Sequence, residues 1–235
     1  LMRIRSGEHY AEEEIRIVSD KQKPVWCRIR ITGLADKSGR VVRAVGAILD
    51  IDAEKRKAQN LMERAQRDML TKLYNKGTSQ EYIQAVLEGS GPERKSALMI
   101  IDLDNFKHMN DTMGHLFGDA LLAEVAHTIQ KQFRSEDIVG RVGVDEFLVF
   151  LGQIPDVSLA EQKAAQIMKA IGEMAVQELT DVELSCSIGI AVFPDCGQSY
   201  NELFKRADQA LYRAKNRGKN GYCIADAKLF SEEFP

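Results

Sequence analysis

Only four cysteines occur in 235 residues, Cys27, Cys186, Cys196 and Cys223, and none stands in a C-x-x-C spacing or beside paired histidines. That leaves no zinc site of ordinary spacing and no disulfide framework, so a reducing, cytoplasmic setting is expected. An excess of basic residues is also missing: 32 Lys and Arg against 35 Asp and Glu give a formal net charge of -3. Nucleic acid is therefore not an expected partner. No apolar run approaches the length of a membrane span, and Leu1-Met2-Arg3 lacks the form of a signal peptide. Membrane contact is not expected within this chain, which reads as a fragment whose parent is free to carry an anchor upstream. There is no internal repeat and no low-complexity tract. What the chain does have is 44% hydrophobic residues, enough for a proper core, and this points to a soluble globular protein with small-molecule chemistry.

Hydrophobic periodicity divides the chain. Tyr10 to Ser19, Val25 to Leu34 and Val41 to Ile51 read as strands, with Asp36-Lys37-Ser38-Gly39 as a turn between the last two. Ile15, Ile17, Trp26, Ile29, Ile31, Val42, Val45 and Ile48 are the expected apolar face of this meander. Three strands alone bury little, so residues 1–51 read as the back half of a domain. Asp52 to Met69 has no Gly or Pro, and Ala58, Leu61, Met62, Ala65 and Met69 recur at three- and four-residue steps. A linker helix over 52–69 follows, either a two-chain seam or an amphipathic helix packed on its own domain. From residue 70 to 235 the pattern is mixed. Helices are expected at Ser79–Leu87, His115–Phe133, Ser158–Met174 and Tyr200–Asn216. Strands are expected at Ala97–Ile101, Glu183–Phe193 and Tyr222–Ala225, and a hairpin at Ile138–Leu151. The hairpin forces antiparallel pairing, so the fold class is α+β, a central, mostly antiparallel sheet flanked by helices.

Two carboxylate clusters terminate apolar strands. Ala97–Ile101 runs into Asp102-Leu103-Asp104, and Asp145-Glu146 sits at the tip of the hairpin. Buried strands ending in paired acids suit a divalent cation, because Mg²⁺ is usually held by one or two carboxylates plus substrate phosphates. If the stretch before Gly114 is helical, Lys107 and Asn110 share a face. A lysine beside metal-binding acids calls for an anionic group between them, and a nucleotide phosphate serves. The alternative is a plain Asp104–Lys107 pair. Asp119 is either a helix cap or an acceptor for a guanine edge. The cations of Ala214-Lys215-Asn216-Arg217-Gly218-Lys219 first of all complement a helix C-terminus.

Together these pieces resemble one family. The runs are R-D-M-L-T-K-L-Y-N-K at Arg67 to Lys76, D-L-D-N-F-K-H-M-N-D-T-M-G-H-L-F-G-D-A-L-L at Asp102 to Leu122, then R-V-G-V-D-E-F, S-I-G-I-A at Ser187 to Ala191, and A-D-Q-A-L-Y-R-A-K-N-R-G-K-N at Ala207 to Asn220. In order and spacing they resemble a GGDEF domain, the diguanylate cyclase family with its nucleotidyl cyclase palm-like fold, over roughly Arg67 to Ala225. The preceding Tyr10 to Ile51 resembles the C-terminal half of a PAS sensor domain. The resemblance implies condensation of two GTP into cyclic di-GMP with release of pyrophosphate, each GTP carried by one member of a homodimer. It implies Mg²⁺ or Mn²⁺ held by Asp102, the Leu103 carbonyl, Asp145 and Glu146, with Asp145 and Glu146 the catalytic acids. Asn110 and Asp119 then read guanine, Gly143 lines the nucleotide, and Lys107, Lys215 and Lys219 hold phosphates. Lys219 stands where arginine is commoner, and keeps the charge but not the fork. Arg134 and Asp137 match the R-x-x-D pattern that binds cyclic di-GMP as a feedback inhibitor.

One position departs from the family. Its motif has two glycines before the acids, and this chain has Gly143-Val144. If the backbone there is left-handed, a β-branched residue is a real outlier costing roughly 1–2 kcal/mol. If it is not, the isopropyl group points into the space for ribose or base. Two readings follow: a cyclase, or a degenerate domain that binds cyclic di-GMP or GTP and signals to a partner.

Overall fold

Two sheets arise from two kinds of apolar pattern. The computed structural model describes residues 9–18, 23–89, 91, 93–174 and 184–226, and the chain divides into units Leu1–Ala65 and Gln66–Pro235.

In the first unit, strands β1 (Tyr10–Val18), β2 (Pro24–Ala35) and β3 (Val41–Asp50) form an antiparallel meander in that order. The turn between β2 and β3 is the expected one: the Asp36 carboxylate accepts from the Ser38 and Arg40 amides at 2.9 and 3.1 Å, and Gly39 takes a φ of 81°. Alternation is less clean than the apolar content suggests. Register pairs Ile15 with Cys27 and Ile29 with Ile48, whereas Trp26 pairs with Arg16 and Val45 with Thr32. Because neighbouring residues point to opposite faces, Trp26 and Val45 lie across the sheet from Ile15, Ile29 and Ile48, a correction to the expected single apolar face. The Trp26 side carries the charges instead. Lys55, on helix α1 (Asp52–Gln66), lies 5.5 Å from the Trp26 ring centroid and 2.6 Å from Glu14. Val42 and Ile48 are exposed.

Helix α1 ends at Gln66, three residues before the expected boundary. The Asp68 carboxylate accepts from the Thr71 amide and hydroxyl, so Asp68 to Thr71 closes as a turn rather than continuing the helix.

The second unit contains helices α2 (Lys76–Glu88), α3 (Phe106–Met113), α4 (His115–Gln130), α5 (Val157–Gly172) and α6 (Tyr200–Asn216). Its strands are β4 (Lys95–Leu103), β5 (Ile138–Arg141), β6 (Glu146–Ile154), β7 (Cys186–Phe193) and β8 (Gly221–Ile224). Sheet order is β5-β6-β4-β7-β8. All pairings are antiparallel except β7–β8, which is parallel, so the sheet is mixed with antiparallel pairing dominant. Helix α4 stops at Gln130, short of the expected Phe133, and Glu183 and Ser19 of the expected strands lie outside the described residues.

β4 is buried from Ser96 to Leu103, as befits a central strand covered on both faces. Its two-residue period sorts the core. Ala97, Met99, Ile101 and Leu103 join Leu121, Val125 and Ile129 of α4 and Ala164 and Ile167 of α5. Leu98 and Ile100 join Ile83 of α2 and Leu203, Ala207, Ala210, Leu211 and Ala214 of α6. β6 divides the same way, with Phe147 and Val149 on the first side and Leu148 and Phe150 on the second. By the same period Asp102 and Glu146 lie on the α6 side of the sheet.

Candidate functional site

Asp102 and Glu146 are direct cross-strand partners at the end of the β4–β6 ladder, and the Leu103 amide donates to the Asp145 carbonyl at 3.3 Å. Two acidic segments more than forty residues apart thus meet at one sheet edge. Helix α6 starts from a capping box, Ser199 with Glu202. Its small apolar stripe, Ala207, Ala210 and Ala214, lets it lie close on the sheet and carries Lys215 to the acids. Lys215 Nζ sits 2.7 Å from Asp102 Oδ2.

Electrostatics mark this cluster. Burial pushes the Asp102 carboxyl above its ordinary range; Lys215 opposes this, while Asp145 and Asp104 add to it. Burial also raises Glu146, helped by the charges of Asp102, Asp145 and Asp208 and opposed by Lys215. Crowded, desolvated carboxylates of this kind gain from a cation. The donors are hard oxygens, which fits Mg²⁺ rather than a softer metal. Among the described residues no three His, Cys, Asp or Glu side chains form a self-sufficient metal cage. A site of this type would take its remaining ligands from water and a nucleotide's phosphates.

The loop between β5 and β6 is held from several sides. The Glu146 carbonyl accepts from the Val142 and Gly143 amides at 3.0 and 3.3 Å, and Arg141 Nη2 donates to the Val144 carbonyl at 2.6 Å. Arg141 Nη1 reaches Asp68 at 3.1 Å. Burial raises the Asp68 carboxyl, but the Thr71 amide and hydroxyl and the Arg141 guanidinium outweigh it and hold the group below its usual range. Val144 is not among the residues with positive φ, and its side chain is 71% exposed. The objection from left-handed backbone strain therefore falls, and only the steric one remains.

The other expected residues are spread around this edge. Lys107 and Asn110 lie on α3, which packs against α4. Asn110 Oδ1 is buried without a hydrogen-bond partner, and a Cβ on Gly118 of α4 would come within 1.9 Å of it. That close fit places Asn110 beside the residue preceding Asp119. Asp119 is no cap, since Gly114 caps α4 and Asp119 is its fifth residue. The Asp104–Lys107 pair is not formed. Asp104, buried beneath the site, accepts from the Ser185 and Ser187 hydroxyls at 2.8 Å each and from the Asn220 amide at 3.0 Å. Lys219 takes a φ of 63° and donates to Asn105 at 2.6 Å, away from the Lys215–Asp102 pair.

Arg134 and Asp137 belong to a separate pocket on the far side of β5. Its volume is about 310 Å³, and Arg67, Tyr74, Phe133, Arg134, Asp137 and Val139 contribute to its walls. The Arg134 amide donates to Asp137 Oδ2 at 3.0 Å, while the Arg134 guanidinium extends into solvent. Burial raises the Asp137 carboxyl, with Glu136 adding to the effect and Arg134 and Lys163 opposing it.

Three participants escaped sequence reasoning. Arg141 and Asp68 are joined only by the fold, 73 residues apart. Asp104 read as a metal-side acid, yet its serine partners lie more than eighty positions away. The signal for Arg141 was an arginine closing a short strand directly before the carboxylate loop.

Comparison with known proteins places this geometry. Residues 65–221 match the family model described as diguanylate cyclase, GGDEF domain. The chain is 37% identical over 172 residues to the bifunctional diguanylate cyclase/cyclic di-GMP phosphodiesterase MucR of Pseudomonas aeruginosa, covering 73% of this chain and 25% of MucR. It is 34% identical over 172 residues to the diguanylate cyclase DgcM of Escherichia coli, covering 73% and 41%. The chain thus spans about a quarter of MucR and about two fifths of DgcM. Among solved structures, a truncated TpbB (YfiN) of Pseudomonas aeruginosa comprising only the GGDEF domain aligns with a TM-score of 0.65 at 31% identity, covering 68% of this chain and 95% of that one. The GGDEF domain of DgcB from Caulobacter crescentus in complex with c-di-GMP aligns at 0.60 and 26%, covering 68% and 96%. Among the described residues no helix is long and apolar enough to cross a membrane. With its acids at one sheet edge and its motifs in family order, this chain belongs to the diguanylate cyclase GGDEF domain family.

Proposed function

We propose that this chain is a diguanylate cyclase that condenses two GTP into cyclic di-GMP. The observation that supports it most is the meeting of Asp102, Asp145 and Glu146 at one edge with Lys215 among them. Each 3′-hydroxyl attacks the α-phosphorus of the other GTP. The new phosphodiester bond forms as the bond to the β-phosphate breaks, and pyrophosphate leaves. Asp102, the Leu103 carbonyl, Asp145 and Glu146 would hold Mg²⁺ or Mn²⁺, which when bound would supply charge stabilisation at the attacking and leaving oxygens. Asn110 and Asp119 orient guanine, and the packing of Asn110 against Gly118 brings the two side chains' segments together. Gly143 lets the nucleotide approach the loop, and Lys107, Lys215 and Lys219 hold the phosphates. Lys215, paired with Asp102 at 2.7 Å, would be close enough to the acids to hold a phosphate beside them. Because one chain offers one such edge, the reaction needs a homodimer, and α1 is the natural seam. The first unit serves as a PAS-like sensory part.

The pocket at Arg134 and Asp137 supports a second role, binding of the product. Arginine forks suit phosphates and guanine edges, and a carboxylate accepts from a guanine N–H pair.

The test is chromatographic detection of cyclic di-GMP and pyrophosphate after incubation with GTP and Mg²⁺. Both products are expected from the native chain and neither from Asp145→Asn. A native chain that releases no product yet binds cyclic di-GMP would replace the cyclase reading with that of a degenerate binding module.

A further inference from the structure

The pocket at Arg134 and Asp137 has a wall that the R-x-x-D pattern does not include. Arg134 and Asp137 come from the segment after α4, part of the domain body. Arg67 and Tyr74, which also line it, come from the turn that follows α1. That turn closes on itself: Arg67 and Tyr74 form an isolated bridge, and the Arg67 guanidinium lies 4.7 Å from the Tyr74 ring centroid. One of its five donors, on Nη1, goes to the Lys72 carbonyl at 2.7 Å. The turn is stitched to edge strand β5 by the Tyr74 amide to the Val139 carbonyl at 3.2 Å and the Arg141 amide to the Tyr74 carbonyl at 2.8 Å. Gln130, Phe133, Ser135 and Val139 complete the lining, and the Lys163 ammonium lies 5.4 Å from the Phe133 ring centroid.

Arg67, the exposed side chain of Arg134, the Asp137 carboxylate and the Tyr74 and Phe133 rings border about 310 Å³, a set complementary to a phosphate beside a planar base. We infer that Arg67 is a third ligand contact of this pocket, so that a bound cyclic dinucleotide bridges Arg134 of the body and Arg67 of the turn and clamps the root of α1 to the domain. The inference rests on the reading of the pocket as a product site. It adds that occupancy is felt by the linker itself: the ligand ties down the segment through which α1 enters the domain.

The probe is cyclic di-GMP, titrated calorimetrically into the full chain and its Arg134→Ala, Arg67→Ala and Arg67→Lys variants. Amide hydrogen exchange of residues 66–74 is followed in parallel. Neither readout needs catalysis. Arg134→Ala is expected to lose binding, and Arg67→Ala to weaken it by about tenfold or more through a lost charge-assisted contact. Arg67→Lys, which keeps the cation over Tyr74, is expected to fall between, and so separates ligand contact from support of the turn. In the native chain ligand should slow exchange across 66–74, and in Arg67→Ala it should not, even at saturation. Native affinity in Arg67→Ala, or exchange at 66–74 that ignores the ligand, overturns the clamp while leaving the product site standing. No binding by the native chain overturns both.

Discussion

Adjacent positions in the β5–β6 loop should respond in opposite ways to the exchange of a single side chain. Gly143 is closed in: a Cβ there would stand 2.5 Å from Glu146 Oε2 and 3.0 Å from Glu146 Cβ, where ordinary contact begins at 3.4 Å. Gly143→Ala must therefore push the Glu146 carboxylate aside by close to an ångström. Misplacement on that scale costs about 10²-fold in rate where geometry governs the chemistry, and the overpacking itself costs about 1–3 kcal/mol. Val144 is the reverse case, with an exposed side chain and no positive φ. Val144→Gly relieves no strain and gives the unfolded chain more freedom, a destabilisation of roughly 0.5–1 kcal/mol. The melting temperature should fall by about 2–4 °C per kcal/mol for a domain of this size. Initial rates of cyclic di-GMP formation and melting curves on both variants decide the matter. A Val144→Gly protein that melts higher than the native one, or a Gly143→Ala protein with native turnover, would refute this account of the loop.

Asp68 provides a pH test. Its folded-state pKa is lowered, so its contribution to stability is present above the unfolded carboxylate value, about 3.9, and fades as pH falls through the folded one. Asp68→Asn should thus melt below the native protein at pH 7, with the gap narrowing in acid; a gap constant with pH would argue against the pairing with Arg141. Asp104→Ala strands the Ser185, Ser187 and Asn220 donors, at about 1–3 kcal/mol for each one left unsatisfied, and a melting temperature close to native would show Asp104 to be no structural keystone. Lys215→Met leaves Asp102 buried without its cation. Because the Lys215 side chain is 36% exposed, the loss should fall short of the roughly 3–5 kcal/mol of a fully buried broken pair. Without nucleotide, Mg²⁺ should raise the melting temperature of Lys215→Met more than that of the native chain, and an equal response would count against Asp102 as a metal ligand.

The second unit was legible because its strands are long, continuous and closed by acids. The run from Ala97 to Ile101 specified a buried central strand, and the acids after it and after Val144 fell at the same edge once β4 and β6 paired. Boundaries were read less well where a side chain competes with the helix, as Asp68 does by capturing Thr71. The first unit misled for a different reason. Its apolar residues fall on both faces, and only the register separates Trp26, under Lys55, from Ile29 and Ile48. Arg141 and Asp104 were hidden because their partners are distant in sequence and their roles depend on closure of the sheet.

The Asp68–Arg141–Val144 connection has a consequence for how the domain can be cut. Neither core cluster draws on any residue before Leu70. A chain shortened to begin at Met69 should keep every packed layer and still fold. It would nevertheless lose the carboxylate that steadies Arg141, and with it the fixed anchorage of the Val144 carbonyl beside Asp145 and Glu146. Foldability and competence therefore end at different residues, and an inactive fragment that starts a few positions too late says nothing about the chemistry of the full-length chain.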